Sequence, residues 1–277
     1  MPLILEPLAD TDALSIDLTG IVPDRISTLS ALDIGRLEIL ADERPAEVGS
    51  LFRIEGDPAE GRIECRGDFS RVHFIGARMA WGEITVTGSA GRHAGEGMTG
   101  GSLTIHARAG DWLACELAGG SVRVGGNAGD NAAAALPGSP QGMRGGLVTI
   151  AGSAGSLAGA RMRRGILAIG GDCGAAVAFE MRAGTVLVGG DVGPHAASGM
   201  QRGSLIAAGS RCVPPVTFQR GSLWIPSFMQ LLAARLEAAG FRLGSRSVRS
   251  GLAGPWEQWH GDPLAGGRGE IFLRPTA

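Results

Sequence analysis

Apolar positions in the middle of this chain return at a fixed interval. Units begin at Met79, Met98, Leu117, Met143, Met162, Met181, Met200 and Phe218. Most are nineteen positions apart; the unit at Leu117 is seven longer and the one at Met200 is one shorter. A glycine stands three positions into every unit, from Gly82 and Gly101 through Gly203 and Gly221. Five positions in, the column reads Ile84, Leu103, Val122, Val148, Leu167, Val186, Leu205 and Leu223. Two further on it reads Val86, Ile105, Val124, Ile150, Ile169, Val188, Ala207 and Ile225. Residues such as Thr85, Thr104, Arg123 and Thr149 separate the two columns. Period-two alternation with β-branched residues at the inward positions predicts one short strand per unit. Each strand runs into a G-x-x-G turn, as at Gly88–Gly91, Gly126–Gly129 and Gly152–Gly155, whose glycines are expected to supply positive φ at a sharp corner.

One strand and a few turns cannot bury a face alone, so neighbouring units must stack, about 4.8 Å apart. The expectation is an all-β protein: a right-handed single-stranded parallel β-helix of 19-residue coils, too narrow for an interior ligand, with a small N-terminal cap and a C-terminal helix and tail. Residues 1–48 form the cap, with strands around Leu3–Leu5 and Ile16–Leu18. Residues 49–225 form the solenoid, Gly49–Gly56 and Gly61–Gly67 being degenerate first coils. Residues 226–277 form a C-terminal helix and extended arm. Ser227 is placed to N-cap a helix from Phe228 to Ala239 that Gly240 stops; its apolar residues Phe228, Leu231, Leu232 and Leu236 are expected to cover the last coil. The tail from Phe241 to Ala277 reads as an arm laid on a partner or as a strand returning along the rod. The lengthened turn Gly129–Met143 reads equally as a partner contact and as a tolerated surface loop.

Composition narrows the classes. With 47 Gly, 14 Pro and 44% apolar residues, the chain is neither collagen-like nor a disordered polar tract. A net charge of −2 gives no pull toward nucleic acid or membrane surfaces. All 25 cations are Arg and Tyr is absent, a bias we read as GC-rich coding and hence bacterial. Four scattered cysteines (Cys65, Cys115, Cys173, Cys212) read as reduced thiols. The start MPLILEPLAD lacks a basic n-region and no segment is long and apolar enough for a bilayer, so a cytoplasmic protein is expected.

Candidate chemistry is sparse. His93 and His195 share a column five coils apart, about 24 Å on the β spacing. With no Cys-His cluster evident, no metal is assigned, and no catalytic residue either. Asp172 and Asp191 take one turn position in adjacent coils, within about 5–6 Å. That is a separation a carbohydrate-active β-helix could use. Because Asn127, Ser153 and Ser210 stand at the same turn position, backbone capping is the stronger reading. Arg144, Arg163, Arg164, Arg182, Arg202 and Arg220 should line one edge as an anion-binding stripe, balanced by Glu180, by solvent, or by acidic partner groups. Leu147, Ile166, Leu187, Ile206 and Trp224 are apolar on the outward side of the strands, where a partner is expected to cover them.

The coils M-x-G-G-x-L/V-x-I/V-x-G-x-x-G carry a family resemblance, most plainly in Met98–Ile105 and Met143–Gly155. The segment Gly67–Gly76, the long turn before Gln141-Gly142-Met143, and Gly261-Asp262-Pro263 with Gly267–Ile271 add to it. Over residues 49–225 the chain resembles the C subunits of the formylmethanofuran dehydrogenase family, most of all the C (gamma) subunit of the bacterial formyltransferase/hydrolase complex. The resemblance implies a structural subunit of a complex that moves a formyl group from tetrahydromethanopterin to methylofuran and releases formate. Chemistry would reside in a formyltransferase subunit and an amidohydrolase-like zinc subunit, and the complex would hold a further small subunit. The polyglutamate tail of methylofuran is then one candidate for the Arg stripe. The same β-helix resembles the C-terminal domain of glutamate synthase, so an interdomain spacer and a carbohydrate-active enzyme stand as alternatives.

Overall fold

Each repeat from Met79 to Ala207 forms the strand its alternation predicts. The computed structural model describes residues 1–11, 13–244 and 246–275. The first strands are β1 (Leu3–Pro7), β2 (Ile16–Asp17), β3 (Glu38–Ala41), β4 (Arg44–Glu47), β5 (Phe52–Glu55), β6 (Arg62–Cys65) and β7 (Val72–His73). One strand per repeat follows: β8 (Glu83–Val86), β9 (Ser102–Ile105), β10 (Ser121–Val124), β11 (Leu147–Ile150), β12 (Ile166–Ile169), β13 (Thr185–Val188) and β14 (Arg202–Ala207). The chain closes with β15 (Gln219–Trp224), β16 (Trp256–Gly261) and β17 (Arg268–Leu273). Helices α1 (Pro23–Ile26), α2 (Ala31–Gly35) and α3 (Val48–Leu51) lie among the first strands, α4 (Phe228–Ala238) and α5 (Val248–Leu252) between β15 and β16. The protein is therefore mostly β, in one sheet of thirteen strands and one of four (β4-β3-β2-β7).

Pairing of β6 with β8, and onward from β8 through β14, is parallel and in register: Ile63, Ile84, Leu103, Val122, Val148, Leu167, Val186 and Leu205 stand opposite one another in turn. All are at most 3% exposed, as is the parallel column from Cys65 and Val86 to Val188 and Ala207. Met79, Met98, Leu117, Met143, Met162, Met181 and Met200 form a third column at 0% exposure. Burying each Val, Leu or Ile contributes about 1.5–3 kcal/mol, so the inward columns hold the stack together. A second line of parallel bridges joins Phe69, Ala90, Ala109 and Ala128, and another joins Ala154, Cys173 and Val192.

Backbone curvature is distributed differently from expectation. The G-x-x-G glycines have ordinary φ. They are small because the next repeat is close: a Cβ on Gly126 would meet the Ala107 carbonyl oxygen at 2.8 Å. Positive φ belongs instead to the glycine three positions into each unit from Gly82 to Gly203, for example Gly101 at 74° and Gly203 at 108°. It belongs also to a non-glycine column: Phe74, His93, Trp112, Asn131, Leu157, Ala176 and His195, all between 58° and 63°. Left-handed backbone costs such residues about 1–2 kcal/mol. It is offset by aiming their amides across the stack, His93 N–H donating to the Asp111 carbonyl (2.9 Å) and Trp112 N–H to that of Asp130 (2.8 Å).

Both ends depart from the repeat. At the start, β1 is a true first rung, Leu3 opposite Ile63 and Leu5 opposite Cys65. Gly61–Gly67 indeed carries a rung, β6. Gly49–Gly56 does not: β5 runs antiparallel to β1 and ends the sheet. At the finish, the reading of Phe218–Ile225 as an eighth repeat is corrected. Pro214 falls where the preceding repeat turns through left-handed His195 (φ 63°), and a proline ring holds φ at about −65°. The vacated rung is taken by β17, with Gly269 opposite Gly203, Ile271 opposite Leu205 and Leu273 opposite Ala207. The tail thus returns to the stack, its last two positions (276–277) lying outside the described residues. β16 pairs antiparallel with β17, and β15 with β16, leaving β15 as an edge.

Helix α4 ends where expected, with Gly240 left-handed after the Ala239 cap, but Ser227 makes no side-chain cap. Its buried residues are Met229, Leu232, Ala233 and Leu236, while Leu231 is 76% exposed. The helix lies on the outward face of β11–β14 and does not cap the last rung.

Candidate functional site

The outward apolar residues are where the largest correction falls. Leu147, Ala168, Leu187 and Ile206 are buried, and Ile166 partly so, under the chain's own Met229, Leu232, Leu236, Val248, Trp256 and Phe272. No partner is required for Leu147, Ile166, Leu187 or Ile206; an amphipathic helix and a returning strand supply the cover. Trp224 differs. On edge strand β15 it is 41% exposed, between Leu223 at 59% and Ile225 at 63%, and its Nε1 donates to Gln258 Oε1 at 2.8 Å. The open apolar surface of this region is therefore at the C-terminal edge.

The six predicted arginines are all exposed. Arg144, Arg163 and Arg182 occupy one column, each amide donating to the carbonyl that starts the preceding unit (Leu117, Met143, Met162). Arg202 stands opposite Arg268, an arginine the repeat pattern does not reveal because it arrives on the returning strand. Glu180 does not balance the stripe: it pairs with Arg161 at 2.8 Å. Arg220 leaves the stripe with β15 and pairs with Glu257 at 2.6 Å. Among the described residues, no salt bridge involves Arg144, Arg163, Arg164, Arg182 or Arg202.

Asp172 and Asp191 adjoin a cleft of about 870 Å³ that His195, Arg211, Pro214 and Val216 also line. Each carboxylate accepts a backbone hydrogen bond from the next repeat. Asp172 Oδ1 accepts from the Asp191 amide (2.8 Å), and Asp191 Oδ1 from the Arg211 amide (3.0 Å). Asn127 Oδ1 accepts from the Ser153 amide and Ser153 Oγ from the Asp172 amide in the same way. An amide and a hydroxyl substitute for the carboxylate at that turn, which is the behaviour of a backbone ladder. The long turn after Gly129 is tied down as well, the Leu136 amide donating to Glu116 Oε1 and Arg161 Nη1 to the Ser139 carbonyl.

A histidine does form a cluster with a cysteine, contrary to the expectation from sequence. His93 Nδ1 lies 2.7 Å from Glu96 Oε2, and the Cys115 thiol donates to the same oxygen at 3.7 Å. The three potential ligand atoms all lie within 4.8 Å of one another. The repeat itself carries the signal: Cys115 stands one unit after Glu96, hence directly adjacent across the stack. His93 is held between Phe74 (ring centroids 4.6 Å) and Trp112 (5.9 Å), each stacked nearly parallel. Burial and the Glu96 and Glu116 carboxylates push the Cys115 thiol far above its ordinary range. Burial pushes Cys65, Cys173 and Cys212 up to about 12.

No protein-family model matches the chain. Over 84 residues it is 32% identical to the C subunit of the molybdenum-containing formylmethanofuran dehydrogenase 1 of Methanosarcina barkeri (strain Fusaro / DSM 804), covering 29% of this chain and 28% of the relative. Over 81 residues it is 29% identical to the C subunit of the tungsten-containing formylmethanofuran dehydrogenase 2 of Methanococcus maripaludis, covering 29% and 30%. The chain thus matches under a third of the length of these curated relatives. The match to a solved structure is broader. A chain in the X-ray crystal structure of the formyltransferase/hydrolase complex (FhcABCD) from Methylorubrum extorquens in complex with methylofuran is 32% identical, with a TM-score of 0.86, covering 99% of this chain and 100% of that one. No helix among the described residues is long and apolar enough to cross a membrane.

Proposed function

This chain belongs to the family of formylmethanofuran dehydrogenase C subunits, and from that premise we propose that it is a non-catalytic structural subunit of a cytoplasmic formyltransferase/hydrolase complex. In this reading the complex moves a formyl group from tetrahydromethanopterin to methylofuran and releases formate. Catalysis sits in a formyltransferase subunit and an amidohydrolase-like zinc subunit, and a further small subunit belongs to the assembly. The observation that carries the reading is the end-to-end match to a chain of a four-letter assembly, FhcABCD.

We read the parallel stack as a right-handed single-stranded β-helix; its support is the in-register pairing of residues one repeat apart, seconded by the lines of bridges beyond the turns. Such a rod offers rigid lateral surfaces and a filled interior, which suits bridging better than catalysis. Two surfaces are free for partners. The β15 edge presents Leu223, Trp224 and Ile225 with unpaired backbone along one side, a ready template for association. The arginine column presents like charges about 5 Å apart, each pair repelling by up to roughly 1 kcal/mol in water-like dielectric. Acidic partner surfaces or the polyglutamate tail of methylofuran would relieve that repulsion, and guanidinium groups grip carboxylates bidentately.

Affinity purification of the tagged chain from its native cell tests this. Formyltransferase and amidohydrolase-like chains should co-purify. A lone chain with glycan-hydrolysing activity would replace the reading with the carbohydrate-active one, and capture inside a glutamate-synthase-like assembly with the spacer one. Replacing Arg163, Arg164 and Arg182 together by Ala should lower complex yield or methylofuran retention; unchanged yield and activity would remove the stripe from the account.

A further inference from the structure

The structure places His93 Nδ1, a Glu96 carboxylate oxygen and Cys115 Sγ in one niche at the turn between two adjacent repeats, and we propose that this niche binds a zinc-class divalent cation. Sulfur, imidazole nitrogen and carboxylate oxygen together form the ligand set of a borderline-soft ion, as distinct from the all-oxygen set that calcium or magnesium takes. Their charges also suit it, since one thiolate and one carboxylate neutralise a dication while the imidazole stays neutral.

Geometry supports a site rather than a chance encounter. A tetrahedral ion with ordinary Zn–S, Zn–N and Zn–O lengths holds its ligand atoms roughly 3.3–3.7 Å apart. Cys115 Sγ already stands 3.7 Å from Glu96 Oε2, His93 Nδ1 is 2.7 Å from that oxygen, and all three fall within 4.8 Å. Small changes in side-chain torsions would seat the ion. The backbone beneath is rigid. The His93 amide is bound to the Asp111 carbonyl and the Gly97 amide to the Cys115 carbonyl, so the two repeats that supply the ligands are joined on either side of them. The imidazole plane is fixed between Phe74 and Trp112. Entry is open, because His93 and Glu96 retain 22% and 13% exposure while the sulfur is buried behind them. Nearby carboxylates favour a cation: Glu96 supplies one negative charge among the ligands, and Glu116 adds a second beside the thiol. With three protein ligands, the fourth position is left to water or to a partner's side chain.

Binding must displace the thiol proton. The S–H bond breaks, the sulfur pair is donated to the metal, and one proton goes to solvent; His93 carries its remaining proton on Nε2 without net release. This chemistry defines the test. The full chain is stripped with a chelator and titrated with zinc against a chromophoric competitor, then separately with cobalt(II). Expected are one equivalent of metal, about one proton released per ion at neutral pH in weak buffer, and a thiolate-to-cobalt charge-transfer band. Cys115→Ser and His93→Gln should each abolish the band or weaken zinc binding at least tenfold, whereas Cys212→Ser should change neither. Absence of the band in the wild-type chain overturns the proposal, as does wild-type zinc affinity in both ligand variants. Should Cys115→Ser unfold, His93→Gln keeps the test decisive, since it removes the nitrogen ligand from the exposed side of the niche.

Discussion

The strand face of the stack has two halves built on one repeat. In β8, β9 and β10 the outward positions are Glu83, Thr85, Ser102, Thr104, Ser121 and Arg123, none of them buried. In β11 to β14 the equivalent positions include Leu147, Ala168, Leu187 and Ile206, all buried under α4, α5, β16 and β17. The inward columns do not distinguish the halves; both are fully buried aliphatic ladders. Inward residues therefore specify that a repeat stacks, and outward residues specify what lies against it. The chain covers its own second half, leaving apolar surface at the β15 edge, beyond the point where repetition stops.

Truncating matched outward residues separates the halves most sharply. Leu187→Ala opens a cavity between β13 and the helical cover and should lower unfolding free energy by about 2–5 kcal/mol. Thr104→Ala, at the equivalent position two repeats before the cover begins, should change it by under about 0.5 kcal/mol. Chemical denaturation of both variants reads the difference; equal effects would mean that the tail does not hold the second half.

A smaller and symmetrical effect is expected from the glycine column, which belongs to the repeat irrespective of cover. Gly101 (φ 74°) lies in the open half and Gly203 (φ 108°) in the covered half. A Cβ would meet the preceding repeat's carbonyl oxygen at 2.6 Å in the first (Gly82) and 2.7 Å in the second (Gly184). Each Gly→Ala change should cost about 1–3 kcal/mol. A neutral result in either half would show that the backbone constraint is not shared along the stack.

These contrasts mark how much is legible in the residues. Strands, register and core follow from a column of Ile, Leu and Val recurring at a fixed interval, because that spacing leaves a buried ladder no other solution. The turns are ambiguous because glycine answers two different demands, positive φ and close approach, and sequence alone does not say which. His93 and Trp112 adopting left-handed backbone has no compositional sign; the inter-repeat amide bonds that stabilise it are visible only in three dimensions. The closing rung is hidden because Gly269, Ile271 and Leu273 reproduce the pattern of Gly203, Leu205 and Ala207 only after several units' length of unrelated chain, while Phe218–Ile225 imitates it locally. His93, Glu96 and Cys115 are hard to find because metal motifs are sought at short spacings along a chain, and here the relevant neighbour is one repeat away.

Charge provides the subtlest distinction, one of sign. Arg163 stands in a column between Arg144 and Arg182 and makes no salt bridge among the described residues, so Arg163→Gln should relieve repulsion and raise stability by under about 1 kcal/mol at low ionic strength. Arg123 is an outward cation of the open half whose guanidinium reaches Gly240, just past the end of α4; a Cβ there would lie 3.0 Å from its Nη1. A cation at a helix C-terminus contributes about 0.3–1 kcal/mol, so Arg123→Gln should lower stability by that amount. Both effects should shrink as salt is raised, because the Debye length falls from about 10 Å at 0.1 M to about 3 Å at 1 M. Thermal melts at two salt concentrations decide the matter: a loss of stability in both variants would mean that the column's repulsion is already relieved in the isolated chain, and the arginine edge would lose its reason to attract an anionic partner.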